Sequence, residues 1–210
     1  MGPRRWTHGA KRLFQTFCWM VCLCVTNAGA RIAQGSECGV IPPRGFGSGG
    51  AESFHGAHVN EEYCYSLTIP EGLTGYGDTR GFGIALPPDH QGYIYVGSES
   101  NSWDAVSAQG EAKTRLAAAK RSGKIVLASR TVPTTLGDLP ASRLVLRYSC
   151  KENGPVYVDD SIVALSPKNG IVYELVLQTP EVAYEANKAL LSGMAKDWRT
   201  RPPRSNSGCQ

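Results

Sequence analysis

The strongest constraint on the fold is the order in which two apolar periodicities alternate along the chain. Tyr63, Tyr65, Leu67 and Ile69 alternate with Cys64, Ser66 and Thr68, the period of two that marks a half-buried strand, and Pro70 ends the run. Further β-runs follow at Phe82 to Leu86 and Tyr93 to Gly97. A helical stretch then spans about 105 to 121, weakened in its first half by Gly110. Four more β-runs come next, at Ile125 to Ser129, Ser142 to Tyr148, Ser161 to Leu165 and Ile171 to Leu177. The last two are linked by Pro167-Lys168-Asn169-Gly170, a turn sequence suited to an antiparallel hairpin. In the closing helix Thr179 is the expected N-cap and Pro180 fits the first turn. Val182, Ala186, Leu190, Met194 and Trp198 recur every four residues and are expected to pack on the sheet. The order β-β-β-α-β-β-β-β-α predicts an α+β fold: an antiparallel sheet of about six to seven strands packed by two helices.

Upstream of this pattern the chain reads differently. Arg4, Arg5, Lys11 and Arg12 precede an apolar stretch from Leu13 to Val25, and Ala28-Gly29-Ala30 supplies small residues for cleavage before Arg31. Residues 1–30 are therefore expected to be a signal peptide. About thirteen apolar residues fall short of the roughly twenty needed to cross a bilayer as a helix, so no integral membrane segment is expected after cleavage. Residues 31–59 contain Pro42-Pro43 and the glycine-rich run Gly45 to Gly50. That composition predicts a flexible lead-in, before a single domain over 60–200 and a polar tail over 201–210.

Removing residues 1–30 takes away four Lys/Arg and no Asp/Glu, so 22 against 18 becomes 18 against 18. A neutral mature chain has no global attraction for phosphate backbones, which argues against nucleic acid. The densest basic stretch, Lys113, Arg115, Lys120, Arg121 and Lys124, reads as the solvated face of a helix and its exit. Three of the seven cysteines leave with the signal. Cys38, Cys64, Cys150 and Cys209 remain, an even count that predicts two disulfides in an oxidising periplasmic or extracellular setting, with three connectivities open.

Catalytic signatures are sparse. His55, His58, Glu61 and Glu62 form a loose cluster whose spacing fits no standard metal motif, and no metal or cofactor is expected. His90, in the Pro87-Pro88-Asp89-His90 turn, is the histidine a hydrolase would have to use, but no Gly-x-Ser-x-Gly elbow offers a nucleophile. Asp159 and Asp160 are adjacent, so strand alternation points them to opposite faces and away from paired acid–base work. Tyr76, Tyr93, Tyr95 and Trp103 cluster around the second and third strands. They are either core or a binding patch for protein, peptide or glycan.

Four segments together carry a family likeness: Tyr65-Ser66-Leu67-Thr68-Ile69-Pro70, Gly81-Phe82-Gly83-Ile84-Ala85-Leu86, Thr135-Leu136-Gly137-Asp138-Leu139-Pro140-Ala141, and Gly170-Ile171-Val172-Tyr173-Glu174-Leu175. They resemble uncharacterised exported bacterial proteins with a PsbP-like α/β/α sandwich, over about Asn60 to Arg199. The resemblance implies a non-catalytic accessory, chaperone or partner-binding domain acting on a protein partner or envelope component. Its matching residues are scaffold, so it transfers no site. The competing readings are a small-ligand carrier with an apolar pocket between sheet and helix, and an envelope hydrolase using His90.

Overall fold

The computed structural model describes residues 38–39, 52–78, 80–87, 91–101, 107–168 and 170–201. The signal-like segment, the glycine-rich run, His90, Trp103 and Cys209 lie outside them. Residues Glu37–Gln210 form one compact unit. In chain order its elements are β1 (Glu52–Phe54), β2 (Ala57–Asn60), β3 (Tyr65–Thr68), β4 (Gly75–Asp78), β5 (Gly81–Ala85), β6 (Tyr93–Ser100) and α1 (Ala108–Arg121). They continue as β7 (Ile125–Leu136), β8 (Leu139–Ser149), β9 (Val156–Leu165), β10 (Ile171–Pro180), α2 (Glu181–Asp197) and β11 (Arg199–Thr200).

The fold is α+β. An eight-stranded sheet runs β1-β4-β5-β6-β10-β9-β8-β7, and a three-stranded sheet runs β11-β3-β2. Every pairing is antiparallel. Four strands do lie between the helices, and the β9–β10 link is a hairpin in which Gly170 takes a φ of 64°. The strand count exceeds the expected six to seven, because β1, β2 and β4 are short and carry little apolar alternation. Of these, β1 lies within 31–59 and β2 begins there and ends at Asn60, so strand structure begins before the expected domain start at Asn60. The strands β7 to β10 are also longer than their apolar runs, since they continue through polar residues such as Thr134, Thr135, Asp159 and Asp160.

The helices differ from expectation in register. Ser107 caps α1, its side chain accepting from the Gly110 amide at 3.0 Å, so Gly110 lies in the first turn, where its low propensity costs little. Thr179 does not cap α2. It pairs with Val158 in the β9–β10 ladder, and its hydroxyl donates to the Gln91 carbonyl at 2.7 Å and accepts from Asn187 at 2.9 Å. The N-cap position falls to Pro180. The four-residue stripe is also corrected: Val182 is 94% exposed and Ala186 is exposed, whereas Asn187, Leu191, Met194, Ala195 and Trp198 are buried. At about 100° per residue, a strict four-residue repeat drifts by roughly 160° between 182 and 198. Its two ends therefore face opposite ways.

Strand alternation sorts the large sheet into two faces. Phe82, Ile84, Ile94, Val96, Ile162, Tyr173, Leu175 and Leu177 form a continuous core with Leu191 and Met194 of α2, its C-cap Trp198, and Tyr65 and Leu67 of β3. Trp198 is fully buried, stacks on Tyr65 at 4.4 Å and meets Tyr173 edge-on at 5.5 Å. Its Nε1 has no hydrogen-bond partner among the described residues. Helix α1 packs against β7, β8 and β9, on the opposite face. Cys38 and Cys150 form a disulfide across 112 residues of sequence. Cys64 is disulfide-bonded as well.

Trp198→Ala should therefore lower unfolding stability by about 3–5 kcal/mol. Trp198→Phe should cost far less, because it keeps most of the stacked ring and removes a buried donor that has no acceptor. Urea titration of both variants checks the difference.

Candidate binding cleft

Three of the four aromatics singled out in the sequence, Tyr76, Tyr93 and Tyr95, lie on the face of the sheet that carries α1; Trp103 lies outside the described residues. Tyr76 of β4, Gly83 of β5 and Tyr95 of β6 stand in one cross-strand row, and Val176 of β10 continues it. Tyr76 and Tyr95 are half-buried, while Tyr93, two residues along, is buried and donates its hydroxyl to Gln178 at 2.6 Å. Burial raises the Tyr93 and Tyr95 phenols above their ordinary value, and neighbouring carboxylates add to the shift. Both remain neutral donors at physiological pH.

The next row places Gly81 opposite Gly97, and Gly97 opposite Glu174. Missing side chains there make room for others. A Cβ on Gly97 would sit 2.5 Å from Glu174 Oε1 and 2.6 Å from the Tyr95 ring, and one on Gly81 would collide with the Tyr95 hydroxyl. Glycine at these two positions lets Tyr95 and Glu174 lie flat along the sheet. The result is a cleft of about 120 Å³ lined by Arg80, Tyr95, Ser98, Glu99, Val172 and Glu174.

Charge in this cleft is organised by α1. Arg115 reaches from the helix to Glu174 at 2.5 Å and to Glu111, one turn earlier, at 3.1 Å. Burial alone would lower the Arg115 pKa, but Glu174 and Glu111 outweigh it and hold the guanidinium above its ordinary value. Glu99 has no ion pair among the described residues. Its pKa is raised first by burial and then by the neighbouring Glu174 charge, with Arg115 opposing. The cleft therefore presents Glu99, a carboxylate with no ion pair among the described residues, beside a tyrosine ring, an arrangement that accepts a cationic or hydrogen-bond-donating group.

Ser98, Asp159 and Asp160 are each engaged by neighbouring groups. Ser98 belongs to β6, is 4% exposed, and its hydroxyl donates to the Arg80 carbonyl at 3.5 Å. Asp159 and Asp160 take their partners from opposite faces. Asp160 is held by Arg143 at 2.5 and 2.7 Å and by the Tyr184 hydroxyl at 2.8 Å. Asp159 accepts from Lys124 at 3.0 Å and from Tyr148 at 3.3 Å, and Lys124 lies 4.0 Å above the Tyr148 ring. Tyr148 also donates to the Gly39 carbonyl at 3.2 Å, so this cluster ties the segment beside Cys38 to the sheet.

The two histidines near the start of the domain have separate neighbours. His55 meets the Thr74 hydroxyl at 3.2 Å. His58 sits between Phe54 at 4.6 Å and Phe82 at 4.8 Å, with Nε2 buried and unpartnered among the described residues. No group of three His, Cys, Asp or Glu side chains among the described residues could hold a metal ion.

Comparison with known proteins speaks to the scaffold. No family model and no curated protein matches the chain. The solution structure of cyanobacterial PsbP (CyanoP) from Synechocystis sp. PCC 6803 superposes with a TM-score of 0.51 at 15% identity, over 73% of this chain and 95% of that one. The fold is PsbP-like. The Saccharomyces cerevisiae Ran-binding protein Mog1p matches with a TM-score of 0.47 at 10% identity, over 71% of this chain and 95% of its own. A Bacteroides thetaiotaomicron VPI-5482 protein matches with a TM-score of 0.48 at 12% identity, over 70% of this chain. This chain spans about half of that protein, 49% of its length. Within the PsbP-like scaffold, the aromatics were visible to sequence reasoning, but Arg115, Glu99 and Glu174 were not nominated. Their only signal was the Glu111/Arg115 spacing of four on a helix.

Two outcomes follow from this geometry. Arg115→Met leaves Glu111, Glu174 and Glu99 together without their cation. It should cost about 1–3 kcal/mol at neutral pH, and less in acid, since burial raises the Glu99 carboxyl and its protonation removes one of the facing charges; urea titrations at neutral and acid pH check this. For His58, burial lowers the pKa below its ordinary 6.5, so the unfolded chain takes up the proton first. The stability it contributes is complete above about pH 6.5 and falls as the pH drops below that value. Replacing His58 with Phe should flatten this part of the stability–pH profile.

Proposed function

We propose that this chain is an exported, non-catalytic binding domain whose cleft receives a donor-bearing side chain of a protein partner or envelope component. The cleft carries the reading. At about 120 Å³ it is well below the roughly 300–1,000 Å³ of small-molecule sites, yet it offers Glu99 and the Tyr95 ring on a face where Tyr76 also lies. A protruding basic or amide side chain suits that size and charge. Export is supported by the Cys38–Cys150 bridge, since such bonds persist in oxidising compartments, together with the signal-like character of residues 1–30. No helix among the described residues is long and apolar enough to cross a membrane.

The carrier alternative requires space between sheet and closing helix. That interface is filled by Trp198, Tyr65, Tyr173, Leu191 and Met194, each no more than 2% exposed.

Site-directed photo-cross-linking in the exporting cell tests the proposal. A cross-linking residue in place of Arg80, which is exposed on the rim of the cleft, should give a discrete higher-mass protein adduct. One in place of Glu185, exposed on α2, should not. Equal yields at the two positions, or none at Arg80, would overturn the cleft assignment. Native mass spectrometry of the recovered protein should show the bare chain, and a small molecule released on denaturation would favour a carrier.

A further inference from the structure

The basic stretch of α1 does not stay together in the fold. Arg115 is bound to Glu111 and Glu174, and Lys124 to Asp159. Lys113, Lys120 and Arg121 are exposed and have no ion pair among the described residues. Lys120 and Arg121 form the last turn of α1, and only residues 122–124 separate them from the first residue of β7. That strand ends the eight-stranded order, so its outer edge has no strand partner among the described residues. It is twelve residues long, most of them exposed, and it contains Arg130 but no acidic residue. Ile125 and Leu127 are 38% and 53% exposed, and the ladder with β8 is irregular between Val126 and Ala128.

An edge of this length exposes alternating N–H and C=O groups that another chain can pair with. We propose that β7 is a docking edge for an extended, acidic segment of a protein partner, which adds to the sheet as a further antiparallel or parallel strand. Three observations select that occupant. Lys120, Arg121 and Arg130 favour acidic side chains, and exposed Ile125 and Leu127 favour apolar ones between them. The ladder requires donors and acceptors in alternation, which a peptide backbone supplies and a phosphate surface does not. Two copies pairing through β7 would bring the Lys120, Arg121 and Arg130 of both chains together, which opposes self-association. Pro133 lacks an N–H and limits the pairing stretch to Ile125 through Val132. This surface is separate from the cleft.

The test uses the disulfide-intact protein and a fluorescent peptide of about seven residues, the length of an ordinary strand, alternating glutamate with valine. Fluorescence anisotropy should show binding that weakens roughly tenfold between about 50 and 300 mM salt. The same peptide N-methylated at alternate backbone nitrogens should lose at least roughly tenfold in affinity, since methylation removes the ladder donors and keeps every side chain. Lys120→Gln combined with Arg121→Gln should weaken binding similarly while leaving the urea midpoint in place. Hydrogen exchange should slow at amides between Ala128 and Val132 in the complex. No binding of the acidic peptide would overturn the proposal. So would equal binding of the N-methylated peptide, of a lysine–valine peptide, or tighter binding of phosphatidylserine vesicles. Each of these outcomes leaves the Arg80 cross-linking result untouched, so the two assignments stand or fall separately.

Discussion

Trp198 stacks on Tyr65, and that contact joins pieces of the chain that would otherwise have little reason to associate. Tyr65 belongs to the three-stranded sheet, Trp198 ends the closing helix, and Tyr173, which meets both rings, lies in the eight-stranded sheet. Aromatic pairs at this separation contribute about 0.5–1.5 kcal/mol beyond the area they bury. The larger effect is geometric. The Trp198 amide donates to Met194 and the Gly137 amide to Ala195, so the end of α2 is pinned to the β7–β8 turn. From there β11 is delivered to β3, where Arg199 pairs with Ser66. The cleft on the far face inherits its shape from this arrangement, because β10 offers Leu175 to the core and Glu174 to the cleft.

Legibility in the sequence followed burial. Strands with one apolar face, such as Phe82 to Leu86 or Ile171 to Leu177, were read within a few residues because period-two alternation records which face is covered. The strands β1, β2 and β4 were not, since a three- or four-residue strand at or next to a sheet edge, held by backbone pairing, leaves no such record. The closing helix is legible as a helix, and Met194 and Trp198 of its expected stripe are buried while Val182 and Ala186 are exposed; Thr179 is not its cap, since its hydroxyl serves Gln91. In the cleft, tyrosines were noticeable as residue types. Arg115, Glu99 and Glu174 are 75 positions apart at the extremes, and only the β6–β10 register and the α1 crossover bring them together.

The basic run of α1 shows what composition hides. Five cations close in sequence looked like one solvated face, but the helix turns Arg115 inward while the chain beyond it carries Lys124 to a buried carboxylate. Lys113, Lys120 and Arg121 are left outside. Overall charge thus conceals a carboxylate-bearing cleft on one part of the α1 face and a cationic rim beside β7. Binding arguments have to be made surface by surface.

The pairing of β11 with β3 also sets an order of events during synthesis. Its partners lie more than 130 residues apart, and the stack that supports it needs Trp198. A ribosome delivering this chain from its N-terminus supplies β11, which closes the small sheet, only after β1 to β10 and both helices. Until β11 arrives, β3 keeps one edge open, so the small sheet closes only onto a large sheet whose strands have already been made.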